Sequence, residues 1–369
     1  MISKEVKRNI LLNPGPATTT DRVKSSLVVS DICPREKEFG ALFEGINKKA
    51  LKVVNAEEGY ESTLLGGSGT AAIESCLSSC TAPNQKILIV ENGAYGKRMT
   101  EICEALGVAY EVIRFDWGEV IDWAIVEEKL STKRFSVMAT VHHETTTGIL
   151  NSLSKISEIC HRHHVISMVD AMSSYAGIEI DLTKTPVDYL ISSSNKCIQG
   201  MAGVGIVIAK KAELDRIKKI KSKSYYLDLY KNYSNQKEKK QFSFTPPVQV
   251  LYALNEAFDE FFDQGGIQER SKRYSLLYEQ MYKGMTELGF KPMLDPSNDS
   301  RILTTFFEPD ISGFSFDQMH DYLYERNITI YPGKVSHLNT FRISNIGDLN
   351  PEDIALFLKE VENYLKTII

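Results

Sequence analysis

Between residues 59 and 210 the chain alternates short apolar runs with amphipathic stretches. The stretches, such as KRMTEICEALG and SLSKISEICHRHH, place apolar residues three and four positions apart, which is typical of helices. Apolar runs separated by helices predict a mostly parallel sheet covered on both faces, an α/β fold. The strands are predicted at 86–90, 107–115, 136–143, 165–170, 188–194 and 203–210.

The last two of these runs are joined too tightly for a helical crossover, so we expect that pair of strands to be antiparallel. After about residue 250 the pattern changes to long amphipathic helices followed by short strands, which predicts a smaller α+β unit. We therefore predict a large domain over 1–250 and a small C-terminal domain over 251–369. The small domain is expected to contain helices at 248–263, 267–288, 315–326 and 351–366, with strands in ILTTFF, ITIYP and TFRISNIG.

Composition narrows the class of protein without identifying it. The 369 residues are 43% hydrophobic and 25% charged, as in an ordinary globular enzyme, and the formal charge is −5. This charge gives no reason to expect nucleic acid or an anionic membrane as a partner. No apolar run approaches the ~20 residues that span a bilayer, and the N-terminus lacks a secretory pattern, so we expect a cytoplasmic protein. Six scattered cysteines without completing histidines predict free thiols and no metal site.

Candidate chemistry lies where the predicted strands end, because ligands of open α/β sheets gather at the carboxyl ends of the strands. The loop GGSGT (66–70) precedes a helix, and its glycines and hydroxyls suit a phosphate. The loop matches neither the P-loop pattern nor the dinucleotide pattern, so it does not indicate a nucleotide. A plain glycine-rich turn with a Ser/Thr cap is the competing interpretation.

Asp170 and Lys196 follow two successive strands of the predicted sheet. Taken alone, Asp170 could be a helix cap and Lys196 a solvated loop charge. Together they are the two groups that pyridoxal phosphate chemistry needs: a carboxylate for the pyridine nitrogen and a lysine that forms a Schiff base. Desolvation would lower the pKa of Lys196 and make it a better nucleophile and base.

Three more residues fit this chemistry. Tyr95 in NGAYG could stack on the cofactor ring, and Thr145 or a neighbouring threonine could hydrogen-bond the ring oxygen. Arg342 in TFRISNIG could bind a substrate carboxylate with two hydrogen bonds. The competing interpretations are a surface tyrosine, hydroxyls that cap a turn, and an arginine of an edge strand in solvent.

Several segments, spread over nearly the whole chain, resemble class V, fold-type I pyridoxal-phosphate aminotransferases, and within them the 2-aminoethylphosphonate–pyruvate transaminases. The most specific are ETTTG, VDAMSS, ISS-x-NKCIQG and YPGKVS. One departure is His143, where the family usually has serine; this change could alter the substrate pocket. The other segments are LLNPGP, EEGYESTLLGGSGT, ILIVENGAYGKRM, LDLY, FSFTPP and FRISNIG.

The resemblance implies a large domain with a seven-stranded sheet, whose active site the N-terminal segment 1–20 helps to line. It also implies a homodimer with shared active sites, because Thr245 matches a residue that reaches the cofactor phosphate of the neighbouring subunit. Lys196 and Asp170 match the catalytic pair, and Arg342 matches the arginine that binds the substrate carboxylate. The cofactor-binding positions implied are Ser68, Gly69, Thr70, Tyr95, Thr145, Asp170, Ser193, Lys196 and Thr245.

The implied reaction is amino transfer between 2-aminoethylphosphonate and pyruvate, giving phosphonoacetaldehyde and alanine. The phosphonate group could meet Arg342, Lys334 or the region Lys221–Lys223. The alternative is another small-substrate aminotransferase of the serine/alanine–glyoxylate type. Cysteine desulfuration would need a mobile cysteine, and Cys197 beside Lys196 is better explained by packing. A nucleotide-binding module without catalysis is disfavoured, because the chain has the Asp–Lys pair and lacks the acidic residue of that site.

Overall fold

The computed structural model describes residues 7–333 and 338–368. Its strands are β1 (Ile10–Leu12), β2 (Tyr60–Gly66), β3 (Ile87–Glu91), β4 (Tyr110–Arg114), β5 (Val137–Val141), β6 (His143–Glu144), β7 (Ile149–Leu150), β8 (Ile166–Asp170), β9 (Tyr189–Ser193), β10 (Val204–Lys210), β11 (Leu303–Phe307), β12 (Ile328–Pro332) and β13 (Thr340–Ser344).

The helices are α1 (Asp21–Ser25), α2 (Lys37–Lys52), α3 (Gly69–Ser79), α4 (Ala94–Leu106), α5 (Trp123–Ser131), α6 (Leu153–His163), α7 (Lys211–Ile217), α8 (Leu229–Lys239), α9 (Val248–Asp263), α10 (Gly266–Glu287), α11 (Phe316–Tyr324) and α12 (Pro351–Ile368). In the described residues no helix is long and apolar enough to cross a membrane.

The large sheet has seven strands in the order β2-β10-β9-β8-β5-β3-β4. The pairs from β9 to β4 are parallel, and β10 runs antiparallel to both β9 and β2. The predicted fold class, the six predicted strands and the antiparallel pair are therefore confirmed. Parallel strands bring their carboxyl ends to one edge, and Asp170 and Ser193 end two neighbouring strands there.

The edge strand β2 was not predicted. Its first half, Tyr60–Thr63, is mostly polar, so it lacks the continuous apolar run of the buried strands. The open edge is paired instead with a side chain from α8. The amide of Gln236 accepts a hydrogen bond from Leu64 N at 3.0 Å and donates one to Leu64 O at 2.6 Å. This blocks the unpaired strand edge.

Hydrophobic cores cover both faces of the large sheet, and a third core lies in the C-terminal part of the chain. The smaller sheet has the order β1-β12-β13-β11, so its first strand comes from the N-terminus, with Ile10 opposite Ile328. Helix α9 packs its Leu251 and Phe258 into the same core as Phe43 of α2. The domain boundary at residue 250 stays a prediction. The chain passes from the small sheet to the large sheet between β1 and β2, and back to the small sheet between β10 and β11.

Candidate active site

Lys196 lies in the turn after β9, at the carboxyl edge of the large sheet. Its Nζ donates a hydrogen bond to the carbonyl oxygen of Pro14 at 2.6 Å. The N-terminal segment thus passes directly over the lysine. A Cβ on Gly15 would lie 2.6 Å from Nζ, and the φ of Gly15 is +122°, so this close approach requires glycine.

Asp170 is almost fully buried at the end of β8. Its Oδ1 accepts a hydrogen bond from Met172 N at 2.8 Å, while Oδ2 has no partner in the described chain. Burial raises the pKa of Asp170 to about 7, and the hydrogen bond from Met172 opposes that shift. Burial lowers the pKa of Lys196 to about 8, against the attraction of Cys197 and Asp170. The lowered lysine pKa agrees with the expectation from the sequence.

The GGSGT loop enters α3 beside the Asp170 turn. A Cβ on Gly69 would lie 2.1 Å from the Sδ of Met172, so a glycine is needed for the loop to approach this turn. Ser68 is exposed at the N-cap position of α3, and its side chain makes no capping hydrogen bond. Thr70 lies half-buried in the first turn of the same helix. Free hydroxyls and a helix N-terminus are what an anion such as phosphate needs.

Arg342 enters the site from β13 of the small sheet. Its Nη1 donates to the carbonyl oxygen of Thr145 at 3.0 Å, and its Nη2 donates to that of Pro332 at 3.1 Å. Its buried Nε has no partner in the described chain. The guanidinium and the Tyr95 hydroxyl are close enough for each to shift the other's pKa. The structure thus brings the predicted carboxylate-binding arginine to the predicted ring-stacking tyrosine.

Arg98 was not predicted, although it follows Tyr95 by one turn of α4. Its guanidinium carbon lies 4.7 Å from the centre of the Tyr95 ring. Within the described part of the chain it forms neither a hydrogen bond nor an ion pair. Its charge, like that of Arg342, lowers the pKa of Lys196. Two arginines therefore direct positive charge at the lysine, and the sequence carried no pattern that would single out Arg98.

The last two predicted cofactor-binding residues differ in their surroundings. Ser193 is buried at the end of β9, and its Oγ has no partner in the described residues. Thr245 is exposed in a shallow depression. This depression is lined by Pro34, Arg35, Phe242, Phe244, Thr245 and Pro246, none of which is another predicted site residue.

Glu144 is a functional candidate that was not predicted, although the threonines that follow it were considered for the site. This carboxylate is fully buried at the N-terminus of α4. Its Oε2 accepts hydrogen bonds from Tyr95 N at 3.2 Å and Gly96 N at 3.3 Å, and its Oε1 accepts one from Thr146 N at 3.1 Å. Glu144 therefore ties the first turn of α4, which carries Tyr95, to the turn that carries Thr145.

One suggested phosphonate-binding region, Lys221–Lys223, lies away from this site within the chain. Lys223 donates its backbone N–H to Ser78 O and its side chain to Gly107 O. Both acceptors lie at the C-terminal ends of α3 and α4, whose N-terminal ends face the site, so Lys223 is about 15–20 Å away along the helices. Within one subunit Lys223 is therefore far from the site, and the suggestion of Lys221–Lys223 stays a prediction. Lys334 lies outside the described residues.

Comparison with known proteins identifies the family. Residues 22–349 match the aminotransferase class-V family. The chain is a class V aminotransferase. It is 39% identical to a 2-aminoethylphosphonate–pyruvate transaminase of Bacteroides fragilis, over 96% of this chain and 99% of that protein. A Klebsiella pneumoniae protein of the same description is 38% identical, over 96% of this chain and 97% of its own length.

Solved structures agree on the fold. An alanine–glyoxylate aminotransferase from Nostoc sp. superposes with a TM-score of 0.90, covering 99% of this chain and 97% of its own, at 24% identity. A ureidoglycine–glyoxylate aminotransferase from Bacillus subtilis gives a TM-score of 0.90 at 21% identity, covering 98% and 94% of the two chains. These identities show the shared fold alone.

Aminotransferases of this class use pyridoxal 5′-phosphate, and the residues present fit that cofactor. Asp170 Oδ2 and Ser193 Oγ are buried polar atoms with no partner in the described chain, which natural proteins rarely tolerate without a ligand. Asp170 can hold the pyridine nitrogen, Lys196 can attach to the cofactor, and the GGSGT loop can bind its phosphate. Cys197 is buried, its Sγ lies 3.1 Å from Ser173 O, and burial raises its pKa to about 12, so it is no mobile nucleophile.

Proposed function

We propose that this aminotransferase transfers the amino group of 2-aminoethylphosphonate to pyruvate, producing phosphonoacetaldehyde and L-alanine. The identity of 39% over nearly the full length of a relative with that activity in its name carries the proposal. An amino transfer of this kind requires a carboxylate, a reactive lysine and an arginine for the substrate carboxylate. The candidates are the buried Asp170, Lys196 with its lowered pKa, and Arg342.

The bound cofactor supplies the electron sink that stabilises negative charge on the reacting carbon. Lys196, with a pKa near 8, holds or releases a proton at Nζ under physiological conditions and so can move a proton to and from that carbon. Asp170 becomes a carboxylate when its free Oδ2 meets a cationic nitrogen, because the opposite charge stabilises the ionised form. Pro14 O holds Nζ at the edge of the sheet.

Arg342 and Arg98 divide the binding of the acidic substrate groups in this proposal. Pyruvate and alanine carry one carboxylate, which Arg342 can bind through its free Nε and an Nη. A phosphonate carries more negative charge and three acceptor oxygens, so a second cation is needed close to the first. Arg98 is half-buried, unpaired within the described chain and near Lys196, and it meets that need.

We further propose a homodimer in which Thr245 of each subunit contacts the cofactor phosphate bound by the other. The exposed position of Thr245 and the exposed Tyr225 and Tyr226 beside Phe244 support this arrangement. We place the enzyme in the cytoplasm, which agrees with its six free cysteines. The division into domains at residue 250 is part of the same proposal.

A substrate comparison tests the function. The enzyme loaded with cofactor should form alanine from 2-aminoethylphosphonate and pyruvate much faster than it forms alanine from serine and pyruvate, or glycine when glyoxylate is the acceptor. Lys196→Ala should abolish alanine formation, while Lys97→Ala, an exposed lysine of α4, should leave it unchanged. No alanine from 2-aminoethylphosphonate would disprove the substrate assignment, and preference for glyoxylate would favour the serine/alanine–glyoxylate type.

A further inference from the structure

Three buried side chains form a continuous hydrogen-bonded row beneath the site. The Nδ1 of His143 lies 2.9 Å from Ser173 Oγ, which lies 2.8 Å from Thr145 Oγ1. Thr145 is at the end next to Arg342, which donates to its carbonyl oxygen. At the other end, His143 Nε2 is buried and has no partner in the described residues. The row therefore joins a histidine that the proposed mechanism does not use to a predicted cofactor contact.

The surroundings of His143 decide which ring nitrogen carries the proton. Burial lowers the pKa of His143 to about 3, so its imidazole is neutral. His143 lines a narrow gap together with Pro14, Ile302 and Ile346, and this gap has no room for a water molecule. A buried N–H without an acceptor is rarer in proteins than an under-used acceptor. The proton therefore belongs on Nδ1, where Ser173 accepts it.

This tautomer makes Ser173 Oγ an acceptor of the His143 Nδ1–H. The Ser173 hydroxyl has two acceptors in reach, Thr145 Oγ1 at 2.8 Å and His143 O at 3.4 Å, and the closer one is Thr145, so Ser173 donates to Thr145. The Thr145 hydroxyl has its own hydrogen left, and its remaining acceptor within the chain is the carbonyl oxygen of His143 at 3.5 Å, a weak contact. Thr145 is thereby prepared to donate to a ligand rather than to accept from one.

We propose that His143 is a positioning residue that acts through Ser173 to hold Thr145 as a hydrogen-bond donor toward the ring oxygen of the cofactor. The inference rests on the proposed function, because it takes Thr145 to face that oxygen. A donated hydrogen bond stabilises negative charge on the oxygen and weakens its hold on the proton that it shares with the nitrogen joining Lys196 to the cofactor. The row thus sets the pH at which that proton is lost.

The neighbouring residues provide a matched control. His142 Nδ1 lies 2.9 Å from Ser174 Oγ, so this pair repeats the chemistry of His143 and Ser173 one residue away. Both serines are buried, and only Ser173 contacts Thr145. The charged and titratable groups that act on Lys196, namely Asp170, Cys197, Arg342 and Arg98, are unchanged in variants of either pair.

The test is the absorbance of the cofactor-loaded enzyme as a function of pH. Ser173→Ala should raise the midpoint of the absorbance transition by about one pH unit, since the hydrogen bond that holds the Thr145 hydroxyl toward the charged oxygen is lost. Ser174→Ala should leave the midpoint within a few tenths of a unit. Equal shifts in the two variants, or no shift in Ser173→Ala, would overturn the proposal.

Two further variants separate the hydrogen bond from packing. His143→Asn keeps a side-chain amide where Nδ1 lies and should retain most of the wild-type midpoint. His143→Gln extends its amide toward the position of Nε2 and should behave like Ser173→Ala. The reverse order would contradict a role for Nδ1.

A measurement without cofactor tests the tautomer itself. In protein labelled with ¹⁵N-histidine, the His143 signals, assigned by their loss in His143→Asn, should show the proton on Nδ1. A proton on Nε2 would overturn the inference. If 2-aminoethylphosphonate proves not to be a substrate, the proposed reaction fails, while the tautomer and the absorbance midpoints still decide the role of His143.

Discussion

At the residue scale, burial moves the pKa values of Lys196 and Asp170 toward each other. The lysine titrates near 8 and the aspartate near 7, whereas in water the two side chains differ by about 6 units. Both groups can therefore change protonation near neutral pH. Burying each group without a full set of partners also lowers the stability of the folded protein, and this loss can be measured.

We predict that Asp170→Asn stabilises the cofactor-free protein at alkaline pH. Folded Asp170 keeps its proton up to about pH 7, while an unfolded aspartate loses it at about 4. The folded state thus binds more protons between these values, and the wild type loses stability as pH rises through them. The variant should be more stable by about 2–4 kcal/mol at pH 8 and equally stable at pH 4, measured by urea unfolding.

The control for that experiment is a variant whose stability, relative to the wild type, should change with pH in the opposite direction. Hydrogen bonds from Thr183 lower the pKa of Asp181 to about 2. Asp181→Asn should therefore be less stable than the wild type at neutral pH, and this difference should become smaller in acid. A stabilisation by Asp170→Asn that does not depend on pH would contradict the argument from burial.

Arg98 provides a second prediction at this scale. Arg98→Gln should raise the KM for 2-aminoethylphosphonate at least about tenfold, because the phosphonate loses one of two cations. The KM for alanine in the reverse half-reaction should change less than about threefold. Lys97→Gln, which removes a charge from the adjacent exposed residue, should change neither KM. Equal losses for both substrates would show that Arg98 supports the cofactor or the fold instead.

At the scale of elements, the site depends on how α4 is joined to the β6–β7 turn. Glu144 accepts hydrogen bonds from both sides of this junction, so the position of Tyr95 in α4 depends on a carboxylate of β6. A Cβ on Gly93 would lie 2.3 Å from the Cγ and Cδ of Glu144, which shows how closely the two loops approach. Burial raises the pKa of Glu144, and its hydrogen bonds oppose that shift.

We predict that Glu144→Gln destabilises the protein by about 1–3 kcal/mol, because the amide nitrogen of glutamine cannot accept from the N–H groups that it would face. The absorbance and circular dichroism of the bound cofactor should change as well, since Tyr95 moves. The control is Asp122→Ala, which removes the cap of α5, where Oδ1 accepts from Ala124 N at 2.9 Å. Asp122→Ala should lower the free energy of unfolding by about 1 kcal/mol and leave the cofactor spectrum unchanged. An unchanged spectrum in both variants would argue against a link from Glu144 to the site.

At the scale of the whole molecule, the site collects residues that are far apart in the sequence. Pro14 comes from the N-terminal segment, Lys196 from the large sheet and Arg342 from the small sheet. Strand β1 carries the N-terminal segment into the small sheet, so the residues over Lys196 are anchored there. The proposed dimer would add Thr245 from a second subunit.

Mixing subunits tests that dimer. Thr245→Glu would place a negative charge beside the phosphate of the neighbouring subunit and inactivate that site, while Lys196→Ala inactivates its own site. Re-associated mixtures of the two inactive variants should recover about a quarter of the wild-type sites, because half of the dimers are mixed and one of their two sites is intact. Mixtures of Lys196→Ala with Asp170→Asn would recover that fraction only if the two residues of one site came from different subunits. In the proposed dimer both come from the same subunit, so we expect no recovery in this second mixture. Failure of the first mixture would exclude shared sites.

The sequence by itself determined the succession along the chain of six of the seven strands of the large sheet, because each of these buried strands is a continuous apolar run and the helices between them have a periodic apolar face. It also predicted Lys196 and Asp170, since strand ends of a parallel sheet share one edge. The polar edge strand β2 was missed because its edge is satisfied by Gln236, a contact that local pattern cannot show.

Only the tertiary structure decided which groups meet. The unpaired Arg98, the buried Glu144 and the row from His143 to Thr145 depend on contacts between segments that are distant in sequence or on a lack of partners. The pKa values of the lysine and the aspartate likewise follow from burial, which depends on the packing of the whole chain. Residue types and spacing supply the reactive groups. Desolvation sets the charge of these groups, and hydrogen bonds between distant segments set which of them donate and which accept.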